Sequence, residues 1–279
     1  MSFSNACSDP DHAALIASRE PGVALCTVVG IDGAFSRRIG SQLAVLEDSC
    51  VIGDLADTCL ERQLAADVRS LNRPEVRRYG NGSDLIDFRL PCGGGLDILL
   101  DPDPDHAAAH GAVAKLNARC PVSCPLPAPS PLHRRDYIPA LHLRLFGEGR
   151  EFSTLAELAS VSGVETQALS PNDMALGRPS PLPKADAWTA VVLLFHDHEW
   201  EYALIEEALN SDAFYIGAQG GAKARAHRTE ELRVRGLPDA ALERLHSPVG
   251  VVPSCKTPHM LALSAFTEIM AAYEALKDG

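Results

Sequence analysis

From Leu141 onward, short apolar runs rich in β-branched residues alternate with stretches of helical periodicity, and no other feature of the chain restricts its fold as much. Leu141 to Phe146 reads as a strand and is followed by a helix to Val161. Strands at Val164 to Leu169 and Trp188 to Phe195, a helix over Glu199 to Leu209 and a strand at Ala213 to Ile216 come next. Strands joined through helices run parallel with right-handed crossovers, and both faces of such a sheet must be covered. The pattern predicts a Rossmann-like three-layer domain with a mostly parallel sheet over residues 140–279. A basic helical segment, Ala222 to Arg235, and a last helix from Pro258 to about Leu276, opened by Thr257-Pro258, complete it.

The first part is patterned differently. A helix from Pro10 to Arg19 precedes strands at Val23 to Ile31, Ser41 to Leu46 and Cys50 to Ile52; a helix from Cys59 to about Leu71 follows. Strands at Val76 to Tyr79, Leu85 to Leu90 and Leu96 to Leu100 and a helix from about Pro104 to Ala118 make this an α+β domain over residues 1–120, so the class is α/β overall. Pro121, Pro125, Pro127, Pro129, Pro131 and Pro139 fall in a stretch without apolar period, which reads as a linker over 121–139. Ser170 to Asp186 reads as a mobile surface excursion. A chain of 279 residues with 46% hydrophobic content accommodates two such cores.

The formal net charge of −12 disfavours sequence-independent binding to nucleic acid or to an anionic membrane. The N-terminus lacks a basic region followed by an apolar stretch, and Ala190 to Phe195 is far too short to span a bilayer. The expectation is a soluble cytoplasmic protein whose eight cysteines stay reduced.

Two of those cysteines are placed for chemistry. In Gly53-Asp54-Leu55-Ala56-Asp57-Thr58-Cys59-Leu60-Glu61, Thr58 and Glu61 have capping-box spacing, which puts Cys59 at the first helical position, where free amides and the helix dipole stabilise a thiolate. Asp57 opposes that ionisation. Cys92 precedes Gly93, Gly94 and Gly95, whose backbone can approach a ligand closely and form a concave anion site. Two structural thiols is the alternative reading, and it applies equally to Cys26 and Cys50 within their strands. Cys120 and Cys124 are spaced as half of a zinc site, with no second pair to match.

Gly147-Glu148-Gly149 lies between a strand and a helix, the context of a dinucleotide-binding turn, but the third glycine position is Phe152 and Glu148 puts negative charge where a pyrophosphate would lie. His196-Asp197-His198 follows an apolar strand and should emerge at the carboxyl edge of the sheet, as metal ligands or as loop residues organising hydrogen bonds. Lys223, Arg225, His227, Arg228, Arg233 and Arg235 are either a solvated helix face or, with Gly217, Gly220 and Gly221 ahead of them, a phosphate cradle.

These segments together resemble the XdhC/CoxI family, the maturation factors of molybdenum hydroxylases such as xanthine dehydrogenase. Ala24 to Val29 with Gly33 to Gly40 resembles the family's opening strand and its Gly-Ser-Ser-x-Arg-x-x-Gly turn. Gly53 to Glu61 resembles Gly-x-x-Ser-Gly-Gly-Cys-Leu-Glu, and Leu90 to Asp97 resembles Leu-Pro-Cys-Gly-Gly-x-Leu/Ile. Phe195 to His198, Tyr215 to Ala218, Leu245 to Gly250 and Thr257-Pro258 are similar to landmarks of its Rossmann-like domain. Asp57-Thr58 stands where the family has Gly-Gly, and Gln219-Gly220-Gly221-Ala222 where it has Gly-Ser-Arg, which displaces the cation to Lys223.

The resemblance implies a carrier that binds the molybdenum cofactor, molybdopterin in its mononucleotide or dinucleotide form. Such a carrier protects the cofactor while a cysteine desulfurase sulfurates it, and inserts it into the large subunit of a hydroxylase. It implies Cys59 and Cys92 as thiols touching the cofactor or its metal, Gly93 to Gly95 as cradle, and Arg37 with the Lys223 to Arg228 region as countercharge. Gly147, Gly149, His196, Asp197, His198, Gly217 and Gly220 of the Rossmann-like domain are further candidate cofactor-binding residues. A carrier need not turn over a substrate, and it can be a homodimer. The competing readings are an NAD(P)-dependent oxidoreductase using Gly147 and Gly149, and a non-binding regulatory scaffold.

Overall fold

The computed structural model describes residues 10–83 and 93–277, the side chains of the first two excepted. The chain divides into two compact units between Pro139 and Ala140. In the first, α1 (Pro10–Ala17) precedes β1 (Ala24–Asp32), β2 (Gln42–Val45), β3 (Val51–Gly53), α2 (Thr58–Arg69), β4 (Glu75–Gly80), β5 (Gly95–Asp101), α3 (His106–Asn117), β6 (Val122–Pro125) and β7 (Arg134–Tyr137). The expected strand at Leu85 to Leu90 lies outside the described residues.

Strands β3-β2-β1-β5-β4 form an antiparallel sheet. On one face Cys26, Val28, Leu43, Tyr79, Ile98 and Leu100 pack under Leu60, Leu64 and Val68 of α2. On the other, Leu25 and Ala44 meet Ala14 and Ala17 of α1. Burial on both faces is why β1 and β2 read as continuous apolar runs rather than as an alternation.

The expected linker is a hairpin. β6 and β7 pair antiparallel from Val122 opposite Tyr137 to Pro125 opposite Arg134. Val122, Cys124 and Tyr137 pack on Leu15 of α1 and on Ala109, Val113 and Leu116 of α3. Pro127, Pro129 and Pro131 occupy the connecting loop and Pro125 a strand end, so the prolines remove no ladder hydrogen bond that the hairpin needs.

In the second unit β8 (His142–Gly147), α4 (Gly149–Val161), β9 (Glu165–Leu169), β10 (Thr189–Leu194), α5 (Glu201–Leu209), β11 (Tyr215–Ala218), α6 (Ala222–Val234), α7 (Asp239–Leu242), β12 (Leu245–His246) and α8 (Pro258–Lys277) follow in order. The sheet order is β9-β8-β10-β11-β12 and every neighbouring pair is parallel. The strand order reverses between β8 and β10, and in open parallel sheets the crevice at the carboxyl ends beside such a reversal receives ligands.

Val191, Leu193, Phe195, Ile216 and Ala218 face α5 and α6, where Tyr202, Ile205, Leu209 and Leu232 cover them. The opposite face carries α4 and α8, which pack on each other. There Tyr215 Oη donates to Glu268 of α8 at 2.6 Å; the same carboxylate accepts the Gly250 amide and faces His246 Nδ1 at 3.1 Å. The Thr257 hydroxyl accepts the Met260 amide at the start of α8, as its sequence predicts.

The excursion at 170–186 is pinned rather than loose. Met174, Leu182 and Ala185 join the core, Ser180 Oγ donates to Glu207 at 2.8 Å, and Arg144 donates to the Pro183 carbonyl. Among the described residues no helix is long and apolar enough to cross a membrane.

Candidate functional site

The carboxyl ends of β10 and β11, the start of α6 and the loop after Ser247 enclose a cleft of about 1100 Å³. Phe195, His196, His198, Gln219, Gly220, Gly221, Arg225, Val249, Val252 and Cys255 are among its walls. The turn into α6 demands glycine at 220: φ is +126°, and a Cβ there would lie 2.8 Å from that of Ala224. At Gly221 a Cβ would meet nothing within 4 Å, so that backbone faces open space. Gly221 is the N-cap of α6 and supplies no side-chain acceptor, which leaves the first helical amides without a side-chain cap.

Beneath the turn lies a buried polar group that periodicity did not reveal. Arg228 is 1% exposed and Glu201 fully buried; Arg228 Nη2 and Nε lie 2.7 and 2.8 Å from Glu201 Oε2. Arg228 also donates to Gln219 O at 2.7 Å and Ser247 Oγ at 2.7 Å, and His198 Nδ1 sits 3.1 Å from the same Glu201 oxygen. Gln219 Nε2 in turn donates to Phe195 O at 2.7 Å. One guanidinium thus ties α5, the glycine turn and the segment after β12 into the floor of the cleft. Burial pushes the Glu201 carboxyl above its ordinary range, against the pull of Arg228 and His198, and Glu201 Oε1 has no hydrogen-bond partner among the described residues. Arg228 therefore supplies structure here rather than the countercharge expected of it.

The other residues singled out on this side separate into lining and packing. His196 is exposed at the carboxyl edge, and its Nε2 would lie 3.8 Å from a Cβ at Gly149. Asp197 caps the turn that follows, accepting the Glu199 amide. Gly147 is glycine because a Cβ would lie 2.3 Å from Leu194 O on the neighbouring strand, and its φ is +151°. Glu148 and Glu151 bring two carboxylates to the start of α4, unfavourably for a pyrophosphate. Gly217 is buried: a Cβ would meet Tyr215 at 2.8 Å and Val249 at 2.9 Å, so its smallness serves packing. Lys223 is exposed on α6 and does not line the cleft; Arg225 and Arg233 do. Arg225 has no side-chain partner among the described residues, whereas Arg233 pairs with Asp239 at 2.7 Å.

In the N-terminal unit the start of α2 departs from the expected capping box. Asp57, not Thr58, is the N-cap, and its Oδ1 accepts the Cys59 amide at 2.8 Å and the Leu60 amide at 3.0 Å. A carboxylate there answers the helix dipole more strongly than a hydroxyl. Glu61 instead reaches the Leu55 amide at 2.8 Å, and Leu55 is fully buried. Cys59 is exposed one position further along than predicted, beside amides already engaged by Asp57.

Arg37 is held at the same place: its Nη2 lies 2.6 Å from Asp54 Oδ2 and its Nε 3.2 Å from Asp54 O. The Ala56 amide, followed by Arg37, keeps the Asp54 carboxyl below the usual aspartate range. Cys92 lies outside the described residues. Of its glycines, Gly93 is exposed with φ +68° and open space around it, Gly94 is buried against Gly33, and Gly95 is closed off by Arg78 and Asn81 O. Cys26 is buried, with its thiol pushed far up by desolvation, whereas Cys50 lies exposed in the turn after β2. Among the described residues no three His, Cys, Asp or Glu side chains converge as a metal-binding group.

Residues 143–269 match the family model of the XdhC Rossmann domain, and residues 15–80 match that of the XdhC and CoxI family. The chain belongs to the XdhC and CoxI family. A relative within reach of sequence comparison is a molybdenum cofactor insertion chaperone, PaoD, of Escherichia coli strain K12. It is 28% identical over 267 residues, which cover 89% of this chain and 82% of PaoD. A crystal structure described as a xanthine dehydrogenase from Bacillus halodurans superposes with a TM-score of 0.71 over 94% of this chain and 95% of that one, at 17% identity. That likeness shows that the two chains share a fold.

Proposed function

We propose that this protein is a carrier and insertion chaperone for the molybdenum cofactor, serving a molybdenum hydroxylase of the xanthine dehydrogenase type. The observation that carries the reading is the similarity to PaoD over 89% of the chain, with a cleft at the sheet's carboxyl edge large enough for a pterin-sized cargo. The cofactor is cargo rather than a resident group. The Gly220-Gly221 backbone and Arg225 would receive its anionic end, with His196 and His198 beside it. In the N-terminal unit, taken by itself, Cys59 and Cys92 are the proposed soft thiol contacts for molybdenum, with Gly93 directly after Cys92 in sequence and Arg37 holding the Cys59 segment through Asp54. The protein keeps the cofactor while a cysteine desulfurase supplies its sulfido ligand and releases it to the hydroxylase large subunit. Mononucleotide and dinucleotide forms, a homodimeric carrier and a cytoplasmic setting all fit this role.

The test is purification from a cofactor-replete host followed by oxidation. A fluorescent pterin should be released from wild type and be lost from Cys59→Ala and Cys92→Ala, and a co-expressed apo-hydroxylase should gain activity only with wild type. Absence of both pterin and activation in wild type would leave a regulatory scaffold. An oxidoreductase would instead be stabilised by a nicotinamide nucleotide, by about 3 kcal/mol at a hundredfold excess over Kd.

A further inference from the structure

A second cavity, of about 370 Å³, lies in the N-terminal unit, away from every residue given a role above. Much of its wall is apolar, with Leu15 of α1, Leu25 of β1, Ala109 of α3 and Tyr137 of the hairpin each at least nine-tenths buried, and Asp101, Asp103 and Asp105 give it an acidic side. Pro74, Pro104, Pro125 and Pro127 also line it, so the chain around it is stiff before any ligand arrives. The hairpin that reads as a linker is what closes one side.

Only one of these three carboxylates is buried. Asp101, at the end of β5, lines the cavity and is 7% exposed. Its hydrogen bond is a long one, from the Asp103 amide to Oδ1 at 3.3 Å, and among the described residues no arginine or lysine pairs with it. The neighbouring acids are already occupied. Asp105 caps α3 through the Ala108 amide at 2.8 Å, and Asp103 Oδ1 faces His106 Nε2 at 3.4 Å. His106 Nδ1 is committed to Ser18 O at 2.7 Å. Burial pushes the Asp101 carboxyl above the ordinary aspartate range, against the Asp103 amide and the weaker pull of His106. A buried carboxylate with a free oxygen, in an apolar pocket of ligand size, is complementary to a cation on an apolar body.

We infer that this pocket binds a small organic cation, its apolar body seated on Leu15, Leu25 and Tyr137 and its ammonium against the Asp101 carboxylate. The ammonium supplies the missing counterion, and the stiff rim keeps the entropy of ordering small. Neutral and anionic molecules of the same shape lack that pairing.

Cys124 lines the same pocket and reports on occupancy. The full-length protein is treated with iodoacetamide in the presence of 3-phenylpropylamine, 3-phenylpropanol or 3-phenylpropionate, and modification is read peptide by peptide by mass spectrometry. The amine should slow Cys124 alkylation with saturation in the millimolar range, leave exposed Cys120 unaffected, and outperform the alcohol and the acid by about tenfold in affinity. Asp101→Asn should remove that preference while circular dichroism stays unchanged. Equal protection by amine and alcohol in wild type, protection that survives Asp101→Asn, or none up to about 50 mM amine overturns the inference. None of these outcomes depends on whether a pterin co-purifies.

Discussion

Arg228 of α6 grips Glu201 of α5 at 2.7 Å in the interior of the C-terminal unit, and from the same guanidinium it holds the Gln219 carbonyl that begins the glycine turn. Removing one member strands a buried charge, which costs about 3–5 kcal/mol, whereas removing both can be nearly neutral. Arg228→Met should lower unfolding free energy by that amount, and Arg228→Met with Glu201→Leu should recover most of it. Urea denaturation of the single and double variants measures the difference. A double variant no better than the single would mean that the contacts to Gln219 and Ser247 carry the stability.

Asp101 makes stability depend on pH in a predictable direction. Its carboxyl is raised by burial from the ordinary 3.8, so in the interval above 3.8 the folded chain keeps a proton that the unfolded chain has released. The contribution is complete below pH 3.8 and is lost as pH rises through the folded value. Asp101→Asn has no proton to lose, and its stability relative to wild type should climb across that interval and then level off. Chemical unfolding at a series of pH values checks this, and a relative stability that falls with pH would falsify it.

Glycines 147 and 221 should behave oppositely when replaced by alanine. At 147 the new Cβ meets the Leu194 carbonyl at 2.3 Å in a conformation unsuited to L residues, for a loss on the order of 3 kcal/mol. At 221 it enters open space, and the weaker N-cap costs no more than about 1 kcal/mol. Melting temperature separates the two. Pterin occupancy of the folded Gly221→Ala protein then reports on the cleft alone.

Ala56 has φ +64°, the left-handed region, immediately before the Asp57 cap. Ala56→Gly should relieve strain and stabilise the protein by about 0.5–1 kcal/mol after glycine's larger unfolded-state entropy is counted. Guanidinium titration gives the answer. A loss of stability would show that the methyl group packs better than its backbone suffers.

The long elements were legible because their period is imposed by burial. Thr189 to Leu194 is buried throughout, as suits a strand covered on both faces, and the helices alternating with it are what marked its sheet as parallel. The strand, turn and helix at Gly147 to Gly149 could be placed for the same reason. What escaped was set by contacts distant in sequence. Nothing local marks Arg228 as the buried member of a basic helix, since its partner Glu201 is 27 residues away. β12 is two residues long and α7 four, too short for any period to show. The hairpin at 122–137 was obscured because its prolines advertise a tether while Tyr137, buried on α3, does the anchoring. The cap of α2 turned on a choice between adjacent Asp57 and Thr58, which spacing alone does not resolve.

Glu268 belongs to the last helix, yet it clasps Tyr215, His246 and the Gly250 amide from three earlier segments. During synthesis the N-terminal sheet has all its strands once residue 101 has emerged, because β5 pairs with both β1 and β4. The second unit has to wait for α8. A nascent chain stalled before residues 258–277 have emerged would carry a finished first unit and an unlatched second one, vulnerable to proteolysis at the segment after β12.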